Sequence, residues 1–171
     1  SIILLVFIVL SSWVYWLFRK EVPQIQGNIS LSGLHHQVSV GRDQNGVPHI
    51  KAIDDHDLYM AQGFITAQDR LFQMDLSRRQ ASGELSEVVG KATINQDKFF
   101  RTLGLRRAAK ASYQAYNDHS KQVLQWYADG VNAFIKSSTV HHKLPVAFRL
   151  LGYTPKPWTP VDSLTIGKYM A

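Results

Sequence analysis

Between Val40 and Gly90 the sequence changes its hydrophobic period from two to nearly four, and that switch constrains the fold most. Val38 and Val40 alternate with polar Gln37 and Ser39, the mark of a half-buried strand. Asp43-Gln44-Asn45-Gly46 follows with turn chemistry, Asn-Gly accepting positive φ, and Val47–Ala52 returns as a second strand. Pro48 has no N–H to donate, so that strand is expected at an edge or with a bulge. From Leu58 onward Ala61, Phe64, Ile65, Leu71, Phe72 and Leu76 recur at helical spacing, with Arg70, Arg78, Arg79 and Gln80 on other faces. The prediction is a β-hairpin feeding one long helix.

The cluster Asp54-Asp55-His56-Asp57 opens that helix. Its residue types suit a metal ion, but a helix start accounts for them: a carboxylate at the N-cap and first turn meets free N–H groups and the positive end of the dipole. The expectation is a cap, with no metal ligand assigned in the chain. Gly83 and Gly90 bracket a short helical turn over 84–89, and further helices are expected over 105–116 and 120–136. Gly130 inside the last one lowers helix propensity by about 1 kcal/mol relative to Ala, which leaves close packing or a bend as its reason. His141-His142 precedes Lys143-Leu144-Pro145 and reads as a loop. Pro155-Lys156-Pro157-Trp158-Thr159-Pro160 is a stiff extended approach; Thr159 then stands at the N-cap, Pro160 at N1 and Asp162 at N3 of a helix through Met170. That helix shows no stop signal before Ala171, which reads as a partial chain.

The first 20 residues are of another kind. Ile2 to Phe18 carries no charge, and as a helix these 17 residues would span about 25 Å, close to a hydrocarbon core of roughly 30 Å. A signal peptide and an uncleaved signal-anchor both fit, and the aromatic end without an A-x-A site weighs toward the anchor. Residues 21–36, punctuated by Pro23, Gly27 and Gly33, read as a linker. Charge leaves the orientation of this segment undecided, since Arg19 and Lys20 alone would favour a cytoplasmic end; the expected location is membrane-anchored on the extracytoplasmic side, or secreted. The absence of cysteine removes any disulfide framework. Net charge is +6, with 8 basic and 10 acidic groups over 1–97 against 11 and 3 over 98–171. No nucleic-acid motif accompanies the basic half, so it reads as a solvated or docking face rather than a nucleic-acid surface. P-loop, GxGxxG, HExxH and GxSxG signatures are all missing, and the order of serines and histidines argues for no triad.

Three blocks carry a resemblance: RDQNGVPHI over 42–50, AQGFITAQDRLFQMD over 61–75 and RRQASGELSEVVG over 78–90. Together with Asp97, Arg101, Leu103-Gly104, Tyr127–Ala133, Leu150–Pro155 and the run PWTPVD over 157–162, they make residues 37–171 similar to the N-terminal, α-chain part of the penicillin acylase family of N-terminal-nucleophile hydrolases. The resemblance implies an α+β fold, this portion mostly helical with an N-terminal hairpin and belonging to a four-layer αββα sandwich. It implies an amidohydrolase of linear amides, such as a penicillin side chain or an N-acyl homoserine lactone, produced as a self-processing precursor. Its nucleophile would be the first residue, usually Ser, of a β chain from the same precursor, with that residue's own α-amine as base. No catalytic residue falls in this chain, and the oxyanion donors also lie in the β chain. Met170 matches a methionine that lines the acyl pocket in several members, and an ordinary core methionine remains the other reading. The family needs no cofactor for catalysis; many members hold a structural calcium, but no ligand for it is identifiable here. Arg42, Asp43, Asp69, Arg70, Arg78 and Arg79 are expected in buried or half-buried ion pairs that organise helix packing. The competing reading is a non-catalytic, membrane-anchored helical module that binds a partner through its basic C-terminal half.

Overall fold

The computed structural model describes residues 4, 6–12 and 24–171. Most of the apolar run expected to be an anchor or signal peptide lies outside these residues. Leu4 and residues 6–12 are helical and exposed, and among the described residues no helix is long and apolar enough to cross a membrane.

The hairpin is present. β1 (Ser39–Arg42) pairs antiparallel with β2 (Pro48–Lys51), Val40 opposite Ile50 and Arg42 opposite Pro48. Pro48 therefore sits at the last rung of a two-stranded sheet, where a missing donor costs least. Asp43 organises the turn, accepting the N–H groups of Asn45 and Val47 at 2.9 Å each, and Gly46 takes φ 78°.

α1 (Asp55–Ser82) is the axis of the chain. Asp54 is its N-cap, its Oδ1 accepting the Asp57 N–H at 2.8 Å. Gly83, at φ 70°, closes it in the left-handed conformation. Apolar Ala61, Phe64, Ile65 and Leu71 are buried, but so are Asp57, Gln68, Asp75, Arg78 and Arg79, because α1 has neighbours on nearly every side. α2 (Ser86–Val89), a 3-10 turn (Lys91–Thr93) and α3 (Ile94–Leu103) follow. Next come α4 (Leu105–Ala115), α5 (Asp118–Val140), the short α6 (Val146–Leu150) and α7 (Pro160–Met170). α3 and α6 are absent from the expectations above. α5 runs further at both ends than 120–136, with Asn117 as its cap accepting the Ser120 N–H at 2.8 Å. His141 and His142 form the loop, His142 at φ 53°. The described part of the expected linker is irregular yet bound: Asp57 accepts the His35 and His36 N–H groups at 2.9 and 2.7 Å, and Gln68 donates to the Gln24 carbonyl at 3.0 Å. Burial works against the Asp57 anion, but those N–H groups and His56 hold its carboxyl down at about 2.

The core lies where α1 and α5 cross. Phe64 meets Phe134 edge to face at 5.5 Å, Val131 and Ala128 are fully enclosed, and Phe72, Phe148 and Tyr153 stack in a T-shaped series. The crossing is tight because glycine stands on both helices. A Cβ built on Gly63 would overlap the Tyr127 carbonyl, and one on Gly130 would overlap the Met60 carbonyl. Packing, rather than a bend, is thus the reason for Gly130. We predict that Gly130→Ala, despite a better helix former, lowers unfolding free energy by about 1–3 kcal/mol or more by prising the helices apart. Urea unfolding measures this; an unchanged or raised midpoint would contradict the close approach.

Candidate functional site

A cleft of about 390 Å³ opens between α1, α5 and α7, within the size range of small-molecule sites. Its floor is apolar: Met74 and Trp158 are buried, while Val123, Leu124 and Ile166 form the walls. Among the described residues Arg70 is the one charged side chain lining it. Burial pushes the Tyr127 phenol on the same wall upward, and the Thr66 hydroxyl and the Arg70 charge offset part of that.

Helix geometry decides which residues of α7 face the cleft. Ile166 and Met170, four apart, share a face and both line it. Tyr169, turned by about 100°, points away: its hydroxyl accepts from Gln80 at 2.9 Å and its ring meets Phe100 at 5.5 Å. Met170 is 81% exposed at the cleft mouth, so within this chain it is no buried core methionine. Ser163, another lining residue, accepts the Trp158 indole N–H at 2.9 Å. Among the described residues no serine hydroxyl is hydrogen-bonded to a histidine.

Beneath the cleft a charged lattice holds α7 in place. Asp75 Oδ1 accepts from Arg78 at 2.6 and 2.9 Å, and Asp75 Oδ2 from Arg79 and the Tyr153 hydroxyl at 2.8 and 2.9 Å. Burial and the Asp75 charge together push the Tyr153 phenol far above its ordinary range. Arg78 then reaches the carbonyls of Lys156 and Pro157 at 2.7 and 3.1 Å and stands 5.1 Å over the Trp158 ring. Asp162 accepts the N–H and hydroxyl of Thr159 at 2.8 Å each, and takes a 2.6 Å ion pair from Arg106. Asn132 on α5 grips the Trp158 backbone from both sides, accepting its N–H at 2.6 Å and donating to its carbonyl at 2.9 Å.

Of the charged residues singled out in the sequence, Arg42 and Asp69 pair at 2.6 Å and tie the hairpin to α1, and Arg78 and Arg79 are buried in ion pairs. For Arg78 and Arg79 these are the ion pairs expected of them, and the 151–162 segment helps to enclose both. Asp43 serves its own turn. Arg70 departs from the pattern altogether: it is exposed, and its φ −149° and ψ 31° break α1 in two. Sequence reasoning gave no role to Asp75, which pairs with Arg78 and Arg79 one turn on, or to Asn132 and Tyr153, whose partners lie far along the chain. Asp97, named in the resemblance without a role, accepts the N–H groups of Leu85 and Ser86 at 2.9 and 2.8 Å and so caps α2 from α3.

Residues 37–171 match the family model described as penicillin amidase. The chain belongs to the penicillin amidase family. It is 41% identical over 148 residues to penicillin acylase 2 proenzyme of Pseudomonas sp. (strain SE83), covering 86% of this chain and 19% of that protein. It is 39% identical over 128 residues to penicillin G acylase of Escherichia coli, covering 74% and 15%. The acyl-homoserine lactone acylase QuiP of Pseudomonas aeruginosa is 35% identical over 156 residues, covering 91% and 18%. Among solved structures, the thermostable penicillin G acylase of Alcaligenes faecalis superposes with a TM-score of 0.70 at 32% identity, over 76% of this chain and 69% of that one. The chain thus spans less than a fifth of the curated relatives it matches. The helical body with its hairpin matches that acylase.

Asp75→Asn removes the charge shared by Arg78 and Arg79, whose side chains are 7% and 4% exposed. The expected loss is about 3–5 kcal/mol of unfolding free energy. Denaturant unfolding reads it, and a loss under about 1 kcal/mol, the range of surface pairs, would deny the lattice its role.

Proposed function

We propose that this chain is the N-terminal α-chain portion of a precursor whose mature form hydrolyses a linear amide to a carboxylate and an amine. Family membership over residues 37–171 carries this reading. The nucleophile would be the N-terminal Ser of a β chain from the same precursor, its α-amine taking the hydroxyl proton as the oxygen attacks the amide carbonyl. On this reading the serine and its oxyanion donors lie in that β chain. The contribution assigned to this chain is one wall of the acyl pocket: the cleft floored by Met74 and Trp158, with Met170 at its mouth. An apolar acyl group suits that lining. Relatives named as penicillin acylases and as acyl-homoserine lactone acylases lie at similar identity, so both acyl classes are candidate substrates. We further propose that residues 1–20 anchor the protein to a membrane with the acylase body extracytoplasmic, and that a secreted form results if they are cleaved. The non-catalytic anchored module finds no support in these relatives.

The deciding experiment compares the purified 171-residue chain with the protein processed from the whole gene on a phenylacetyl chromogenic amide and on N-acyl homoserine lactones of several chain lengths. Turnover is expected only from the processed protein; turnover by the short chain alone, or by neither, overturns the assignment. Deleting residues 1–20 should move the full protein from the membrane pellet to the soluble fraction. A native mature N-terminus at or beyond Glu21 would show instead that the segment is removed.

Met170 has its own test in the processed enzyme. Met170→Ala should change the ratio of kcat/KM between a bulky and a short acyl group by about 10-fold, the scale of methylene-sized changes in a pocket. A core role would leave the ratio alone and lower the melting temperature, through a loss of about 2–5 kcal/mol.

A further inference from the structure

Away from the cleft, three imidazoles converge on the carboxylates at the start of α1. His35 Nδ1 lies 3.3 Å from Asp54 Oδ2, and His56 Nδ1 lies 2.8 Å from Asp57 Oδ1. His36 Nδ1 stands 3.4 Å from Asp54 Oδ2 and 3.5 Å from Asp57 Oδ2. One donor atom from each of His35, Asp54, His56 and Asp57 lies within 4.8 Å of all the others. The rings of His35 and His56 stack, 4.0 Å apart and 12° from parallel.

Helix capping accounts for only part of this arrangement. The cap uses Asp54 Oδ1, leaving Oδ2 turned toward His35 and His36. Asp57 accepts one backbone N–H at each oxygen, and a carboxylate oxygen keeps a second lone pair. Capping demands no imidazole at all. His35 is supplied from 19 residues before Asp54, so a reading of Asp54–Asp57 alone finds the cap and misses the convergence.

We propose that His35, Asp54, His56 and Asp57 bind a divalent transition-metal ion, zinc above others. The donor set is two imidazole nitrogens and two carboxylate oxygens, which suits four-coordinate zinc; calcium and magnesium prefer oxygen alone. Tetrahedral bonds of about 2.0–2.2 Å place ligand atoms roughly 3.3–3.5 Å apart. The His35–Asp54 pair already has that spacing. His56 and Asp57 need to part by roughly half an ångström to reach it, and the widest pair to draw in. His35, with a side chain 58% exposed, has the freedom to swing. The N–H groups of His35 and His36 on Asp57 would orient that ligand from outside the coordination sphere. The positive end of the α1 dipole opposes a cation, and Asp54, Asp55 and Asp57 outweigh it. Bound there, the ion would cross-link the segment before the hairpin to α1.

The test uses the mature protein that carries this chain, stripped with EDTA and dialysed. Zinc chloride is titrated by calorimetry into wild type, His35→Gln, His56→Gln and a surface control, His141→Gln. Wild type and control should each bind one zinc more per chain than either site variant, or bind it with a Kd lower by about 10-fold or more, since even partners outside the coordination sphere shift affinity that much. Cobalt substitution should add the strong visible absorption of a four-coordinate ion to wild type alone among wild type and the two site variants. Equal zinc stoichiometry and Kd across all four proteins, including no binding in any, overturns the proposal. Melting in EDTA checks folding; if His56→Gln does not fold, the exposed His35→Gln decides the outcome.

Discussion

Everything else in the chain is arranged around two helices that touch backbone to backbone. Gly63 and Gly130 face each other's partner carbonyls, Tyr127 and Met60, where a single methyl group would collide. So close a crossing lets Phe64, Phe134 and Val131 share one core, and it draws Tyr127 and Leu124 toward Met74 to form the cleft. The two glycines lower local helix propensity, and the buried contact around them offsets that loss many times over.

The second constraint is electrostatic and answers a backbone problem. The stretch from Gly152 to Thr159 has no regular structure, so its carbonyls need donors from elsewhere. Arg78 supplies two of them, held in register by Asp75, which also anchors Arg79 and Tyr153. Removing either partner would strand a buried charge, which is why such residues serve as geometry-setting groups even where their net contribution to stability is small.

How far the sequence disclosed this follows from the range of each interaction. The hairpin, the Asp54 cap, the Thr159–Asp162 start of α7 and the shared face of Ile166 and Met170 depend on residues within a few positions, and all were legible. α3 was not, because its capping partner role is inverted: Thr93 makes no side-chain cap bond, and Asp97 instead caps the preceding α2. α6 is five residues long and is held by Phe148 against Phe72 and Tyr153, a contact with no local period. Arg78 and Arg79 were legible as ion-pair residues, but nothing nearby in sequence announces the segment 78 residues away that receives Arg78. The cleft itself is the meeting of three such distant stretches.

α7 acts as a lever. Its root is clamped by Asp162, Arg106, Arg78 and Asn132, while Met170 stands at its far end, about 16 Å away at 1.5 Å per residue. A tilt of 10° at the root would carry the tip through roughly 3 Å, more than enough to reshape a small-molecule site at that rise per residue. The Gln80–Tyr169 hydrogen bond and the Phe100 ring brace the outer end against that swing. If the cleft receives an acyl group as proposed, its preference is adjustable from residues that never meet that group, through the angle at which one short helix leaves its base.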